Sequence, residues 1–231
     1  MWHLFHLVLV ALLYFLAGKL GLSLPYVGDK VTLFWLPTGI AVAALLRWRW
    51  WGSLPGIFIG SCAVTLSVDG QWGVSLGVGV GNTLAPAVCV LLLRHWAFSP
   101  SFERRLDALK FCAASGISML QSATIATLLL WLANNIESAQ FVDVWRVWWL
   151  GDALGVLLAA PAMLALSRAS WALVLEQRTE FLVWWIVAVV IGLVAFIGNR
   201  VSEGYALPLA FLPMPLAVWA ALRFGLRGAS L

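Results

Sequence analysis

Apolar positions run along this chain in long unbroken stretches rather than in alternation, and short polar segments punctuate them at regular distances. A run of about 20 mostly apolar residues matches the thickness of a bilayer, and a lipid-facing backbone must satisfy its own hydrogen bonds, so each stretch predicts a helix. The ten-residue alternating segments of a membrane barrel are not seen. Eight helices follow: about Leu4 to Leu22, Val31 to Leu46, Ser53 to Val68, Gly73 to Leu93, Leu106 to Ala133, Trp145 to Leu166, Phe181 to Ile197 and Leu207 to Leu222. The polar segment RHWAFSPSFERR divides the fourth from the fifth. The predicted fold is an all-α, polytopic membrane bundle forming a single domain over residues 1–231.

Charge adds an orientation. Cytoplasmic loops carry excess Lys and Arg. With the N-terminus inside, that side holds Arg47, Arg49, Arg94, Arg104, Arg105, Lys110, Arg168, Arg178, Arg223 and Arg227, against Lys30, Arg146 and Arg200 opposite, with Lys19 near that opposite side within the first helix. Eight spans then return the C-terminus to the cytoplasm, as expected of a multi-pass membrane protein. Composition agrees: 63% of the 231 residues are hydrophobic and 10% charged, far from the balance of a soluble domain. The net charge of +4 is thereby explained as topology. No basic stripe interleaves with stacking aromatics, so nucleic acid is not an expected partner.

Small residues recur at helical spacing. Gly73, Gly77 and Gly81 form a glycine zipper in the fourth helix, Gly151, Gly155 and Ala159 repeat the device in the sixth, and Ser118, Ser122 and Ala126 offer it in the fifth. Close backbone approach of this kind holds helices together in lipid, either within one bundle or across a homodimer. Prolines at 37, 55, 86, 161, 208, 213 and 215 are expected to kink or locally open their helices. Most of the 15 tryptophans fall into two interfacial belts, Trp35, Trp72, Trp131, Trp145, Trp148 and Trp149 outside and Trp48, Trp50, Trp51 and Trp96 inside. Cys62, Cys89 and Cys112 lack a paired motif and read as small buried hydrophobes. His3, His6 and His95 read as interfacial histidines, so no metal and no cofactor is expected.

Polar residues inside the apolar runs carry the functional argument. A carboxylate at the centre of a spanning helix costs about 2.5–3.5 kcal/mol on insertion scales and usually faces a partner, the bundle interior or a water cavity. Asp152, roughly 10 Å below the outer boundary set by Trp145, is the leading candidate. Matched depth and opposite charge suggest a contact with Lys19. Either a helix-to-helix hydrogen bond or a ligand or proton role would account for Asp152. Trp35, Thr38, Trp148, Trp149 and Asp152 could line a pocket open to the outer leaflet, with Asn82 and Gln121 at its floor; for those two amides a single interhelical bond is also a sufficient account.

These same residues carry a resemblance. LFWLPTGIAVAALL, SLPGIFIGS, Gly81–Asn82, VWWLGDALGVLLAAPAMLAL and PLAVWAALRFGLRGA, in that order, resemble the bacterial membrane-associated sensor family MASE type 1 across essentially the whole chain. The resemblance implies that Trp35, Pro37, Thr38, Gly39, Pro55, Gly60, Asn82, Trp148, Trp149, Gly151, Asp152, Gly155 and Pro161 occupy the family's recurrent positions. It implies a sensory input domain of the bacterial inner membrane, attached to a cytoplasmic histidine kinase, diguanylate cyclase or cyclic-di-GMP phosphodiesterase, and it assigns no ligand. Such domains continue with further hydrophobic segments after the RFG stretch, so a longer protein with a C-terminal output domain is expected. Expected partners are membrane lipids, an unknown ligand or membrane protein, and that covalently attached module. A small transporter or channel is the alternative, with Asp, Asn and Gln as its pathway. A membrane enzyme ranks last, because no HExxH or GxSxG set is present and this chain is expected to be non-catalytic.

Overall fold

In a computed structural model, residues 2–23, 35–48, 50–100, 102, 104–165 and 178–201 are described. They contain the helices α1 (Trp2–Leu22), α2 (Leu36–Arg47), α3 (Trp50–Asp69), α4 (Trp72–His95), α5 (Arg105–Leu132), α6 (Phe141–Ala165) and α7 (Arg178–Val201), with a short 3-10 turn at Ser138–Gln140 before α6. No strand occurs among the described residues. Five of the helices (α1, α3, α4, α5 and, counted with its preceding turn, α6) are long and apolar enough to cross a membrane. The expected eighth helix lies outside the described residues, as do Lys30, Arg49, Arg168, Arg223 and Arg227.

Two compact units divide the chain, residues 1–164 and 165–231. In the second, α7 presents Leu182, Val183, Trp185, Ile186, Val189 and Val190 on exposed positions. The first is a six-helix bundle whose seams are set by small residues. Along α3, Gly52, Gly56 and Gly60 face the backbone of His3, Leu7 and Ala11 of α1, in ascending register, so α1 and α3 run parallel. This series has the same four-residue spacing as the one in α4 and adds a seam to those expected from the sequence. The α4–α5 pair is antiparallel: Gly77 meets Leu129 and Gly81 meets Ile125. Gly73, expected to share that seam, is exposed and has no neighbour within 4 Å of where a Cβ would stand. Its place in the first turn of α4 puts it at the end of the helix, past the contact.

The second helix departs most from expectation. It begins at Leu36, its 12 residues cover only about 18 Å at 1.5 Å per residue, and a bilayer core is about 30 Å thick. Pro37 stands in its first turn, where a missing N–H breaks nothing, so this proline starts a helix instead of kinking one. The main-chain N–H of Trp35, ahead of the helix, donates to the Gly151 carbonyl of α6 at 3.1 Å. Non-helical backbone is tolerated at membrane depth only where protein groups take up its hydrogen bonds, and α6 does so here. Pro55, Pro86 and Pro161 do lie inside α3, α4 and α6.

Arg47, Arg94, Arg104 and Lys110 sit at helix ends that share one face of the bundle. There Arg47 donates to the Met163 carbonyl at 3.0 Å, and the Arg94 guanidinium lies 5.1 Å from the centre of the Trp50 ring. At the other face Asp143 and Arg146 form an exposed ion pair at 3.8 Å, and Trp72 and Trp131 are exposed. His6 stacks on Trp48, ring centres 5.2 Å apart. Of the cysteines Cys89 is buried, Cys62 is half-buried and Cys112 is exposed, which corrects the expectation that all three are interior.

Candidate functional site

Asp152 sits in α6 with no accessible surface. Its Oδ2 and the Ser122 Oγ of α5 are 2.7 Å apart. The same Ser122 hydroxyl is 2.7 Å from Asn82 Oδ1 on α4, and Asn82 Nδ2 donates to Ser61 Oγ of α3 at 2.9 Å. The Tyr14 hydroxyl of α1 interacts with Ser61 and Asn82 and accepts from the Trp35 indole N–H at 3.3 Å. Thr38, in the first turn of α2, donates to the Trp35 carbonyl at 2.7 Å, and its hydroxyl also lies 3.1 Å from the main-chain oxygen of Asp152. One polar cluster therefore joins all six helices of the unit.

The cluster is deep and closed. Counted along each helix from the end away from the basic face, Tyr14, Ser61, Asn82, Ser122 and Asp152 lie about 12–16 Å in, near the centre of a ~30 Å core. Tyr14, Thr38, Asn82, Ser122 and Asp152 are each at most 1% exposed. The expected pocket open to the outer leaflet is thus corrected: Thr38 and Asp152 have no accessible surface, and α2 starts at the level of Asp152. Trp35 is itself half-buried, its carbonyl pressed against Gly155 and its ring against Gly18. Gly39 in turn lies against the Gly155 carbonyl and Ala159. No side chain fits at Gly39 or Gly155, where backbone stands opposite, so Gly155 and the small Ala159 serve to admit α2.

Six of the expected site residues come together: Asp152, Asn82, Thr38 and Trp35 in the cluster, Trp148 and Trp149 beside it. The two tryptophans face different ways. Trp149 stacks on Trp145 at 6.1 Å and donates to the Gly116 carbonyl of α5 at 2.8 Å, while Trp148 packs on the α4–α5 apolar cluster and interacts with the Asp152 carboxyl group. Asp152 Oδ1 nevertheless has no hydrogen-bond partner.

Two expected residues do not join. Lys19 is exposed and donates to Ser67 Oγ at 3.3 Å; Asp152 belongs to neither of the ion pairs found among the described residues, Asp107–Lys110 and Asp143–Arg146. The expected direct pairing of Lys19 with Asp152 is therefore not formed. Equal depth places two residues on one level but not on facing sides, and a long ammonium side chain near a helix end reaches for a polar boundary. Gln121 is half-buried and its neighbour Ser122 occupies the place assigned to it, because a step of one residue turns a helix by about 100°. Tyr14, Ser61 and Ser122 join the site without having been expected there from the sequence. Ser122 was visible as a small residue, and Tyr14 as a hydroxyl-bearing side chain within the first apolar run.

Pro86 adds to this arrangement, having no N–H to offer the Asn82 carbonyl one turn earlier. No group of three or more His, Cys, Asp or Glu side chains capable of holding a metal occurs among the described residues.

A helical membrane domain with five membrane-length apolar helices, organised around a closed polar centre, is the class that fold and site define. The chain belongs to the MASE1 family, whose model matches residues 6–231. That family comprises membrane-associated sensory domains. No curated protein and no solved structure matches the chain.

Proposed function

We propose that the chain is the signal-input domain of a bacterial inner-membrane protein, with both termini cytoplasmic, and that it regulates a C-terminal cytoplasmic module of the diguanylate cyclase, phosphodiesterase or histidine kinase class. The observation that carries this reading is the polar centre itself. Buried polar groups in lipid are costly unless satisfied, and here one cluster ties every helix of the unit to its neighbours through directional bonds. A stimulus that binds two arrangements of such a centre unequally shifts all six helices together. The shared basic face of Arg47, Arg94, Arg104 and Lys110 supports the cytoplasmic assignment of that side.

The test uses the full-length protein with its output module. Asp152→Asn and Ser122→Ala are each measured for amount of folded protein and, separately, for output activity. Output fixed high or low at normal protein levels supports the input reading. Output equal to wild type in both variants under every growth condition overturns it, as does solute flux through the purified domain in liposomes, which would establish a transporter.

A further inference from the structure

The hydrogen atoms in the polar centre can be counted. A serine hydroxyl has one proton, an amide oxygen has none, and an ionised carboxylate has none. Ser122 Oγ stands 2.7 Å from both Asn82 Oδ1 and Asp152 Oδ2, the usual separation for an O–H···O bond. Asn82 Nδ2 is directed to Ser61 Oγ, which leaves Oδ1 toward Ser122. With Asp152 ionised, the one Ser122 proton would have to serve two acceptors at once, and one pair of oxygens would face each other with nothing between them. With Asp152 protonated, every contact receives one proton.

The surroundings point the same way. From α1 comes Tyr14, neutral and near enough to interact with Asp152 electrostatically. From α2 comes Thr38, whose hydroxyl meets the main-chain oxygen of Asp152, not its carboxyl. From α3, α4 and α5 come Ser61, Asn82 and Ser122, and on α6 itself Trp148. None of these is a cation, and Oδ1 lacks a hydrogen-bond partner altogether. Trp148 offers the carboxyl group only a neutral indole N–H, and a buried carboxylate with no counter-charge is a costly arrangement; the neutral acid is less so.

We propose that Asp152 is a proton-binding site: it is held as the carboxylic acid and heads a one-way hydrogen-bonded chain, Asp152 to Ser122 to Asn82 to Ser61, beside Tyr14. The proton also sets the direction of the chain. When it leaves to an external base, the Ser122 proton turns to the carboxylate, and the Asn82 amide must rotate so that Nδ2 donates to Ser122 and Oδ1 accepts from Ser61. Three bonds are kept in each state, with opposite polarity, so proton occupancy on α6 is coupled to side-chain orientation on α4 and α3. This concerns the bundle alone and holds whatever module follows it.

The test is infrared spectroscopy of the purified chain in lipid nanodiscs, with isotope-labelled aspartate. At neutral pH the wild type should show a protonated-acid C=O stretch that shifts in heavy water and is lost in Asp152→Asn. In Ser122→Ala the same band should move to higher frequency, because the acid has lost its acceptor. Absence of the band in the wild type at neutral pH, or its persistence in Asp152→Asn, overturns the proposal. Should Asp152→Asn not fold, the Ser122→Ala spectrum decides: a displaced band supports the assignment, an unmoved one rejects it.

Discussion

Gly155 on α6 and Gly77 on α4 are both members of small-residue runs with four-residue spacing, but what stands opposite them differs. Gly155 faces the Trp35 carbonyl and the Thr38 hydroxyl, parts of a fixed helix start. Gly77 faces the terminal methyl groups of Leu129, the far end of a flexible side chain. One seam is closed by backbone and cannot yield; the other is closed by rotamers and can. The α2–α6 seam also adjoins the polar centre, so rigidity there fixes the distances among Thr38, Asp152 and Ser122. The α4–α5 seam beyond the centre is lined by Val74, Val78, Ala126 and Leu130, which carry no polar bond to be lost.

The contrast can be broken in a graded series. Gly155→Leu should have the largest effect, more than ~4 kcal/mol, seen as loss of monodisperse protein by size-exclusion chromatography; a folded variant would show that α2 can move off α6. Asp152→Ala should follow. It strands the Ser122 bond in a buried site, at about 1–3 kcal/mol, and should lower the thermal midpoint in detergent well below that of Asp152→Asn, which keeps a polar partner. Equal midpoints for the two would mean that the Ser122 bond contributes nothing. Gly81→Ala, whose added methyl would stand 3.2 Å from the β-branched Ile125, should cost roughly 1 kcal/mol, and Gly77→Ala less, since Leu129 can turn away. The reverse order would put the rigid neighbour on the wrong glycine. Gly73→Ala, in open space, and Lys19→Ala, on an exposed side chain, should each stay within about 0.5 kcal/mol. A large loss in Lys19→Ala would revive a role for that charge in the bundle.

Much of the fold was legible because it follows from solvation. Runs such as those of α1, α4 and α5 have to be helices in a bilayer, and their observed limits fall within a few residues of the expected ones. Asp152 and Asn82 were legible for a related reason: a polar side chain inside an apolar run needs a partner. The partners were not legible. Ser122 and Ser61 look like small packing residues until the helices are placed, and the difference between Gln121 and Ser122 is one of rotation about an axis that the sequence leaves free. The glycine series of α3 at positions 52, 56 and 60 is as regular as that of α4, but which helix it meets depends on how α3 is turned about its axis.

The second helix marks the boundary between the two kinds of information. Apolar character over Val31 to Leu46 fits a short span, and nothing in that pattern says where the helix begins. Its start at Leu36 depends on Gly39 and Gly155 letting two backbones touch and on Gly151 offering a carbonyl to Trp35. By itself the sequence determined that this is a helical membrane domain with a carboxyl group and an amide buried in it, because burial in lipid forces both. Tertiary structure alone decided that they share one hydrogen-bonded chain with Tyr14, Ser61 and Ser122, and that Lys19 stays outside it, because hydrogen bonds depend on which helix faces are turned together.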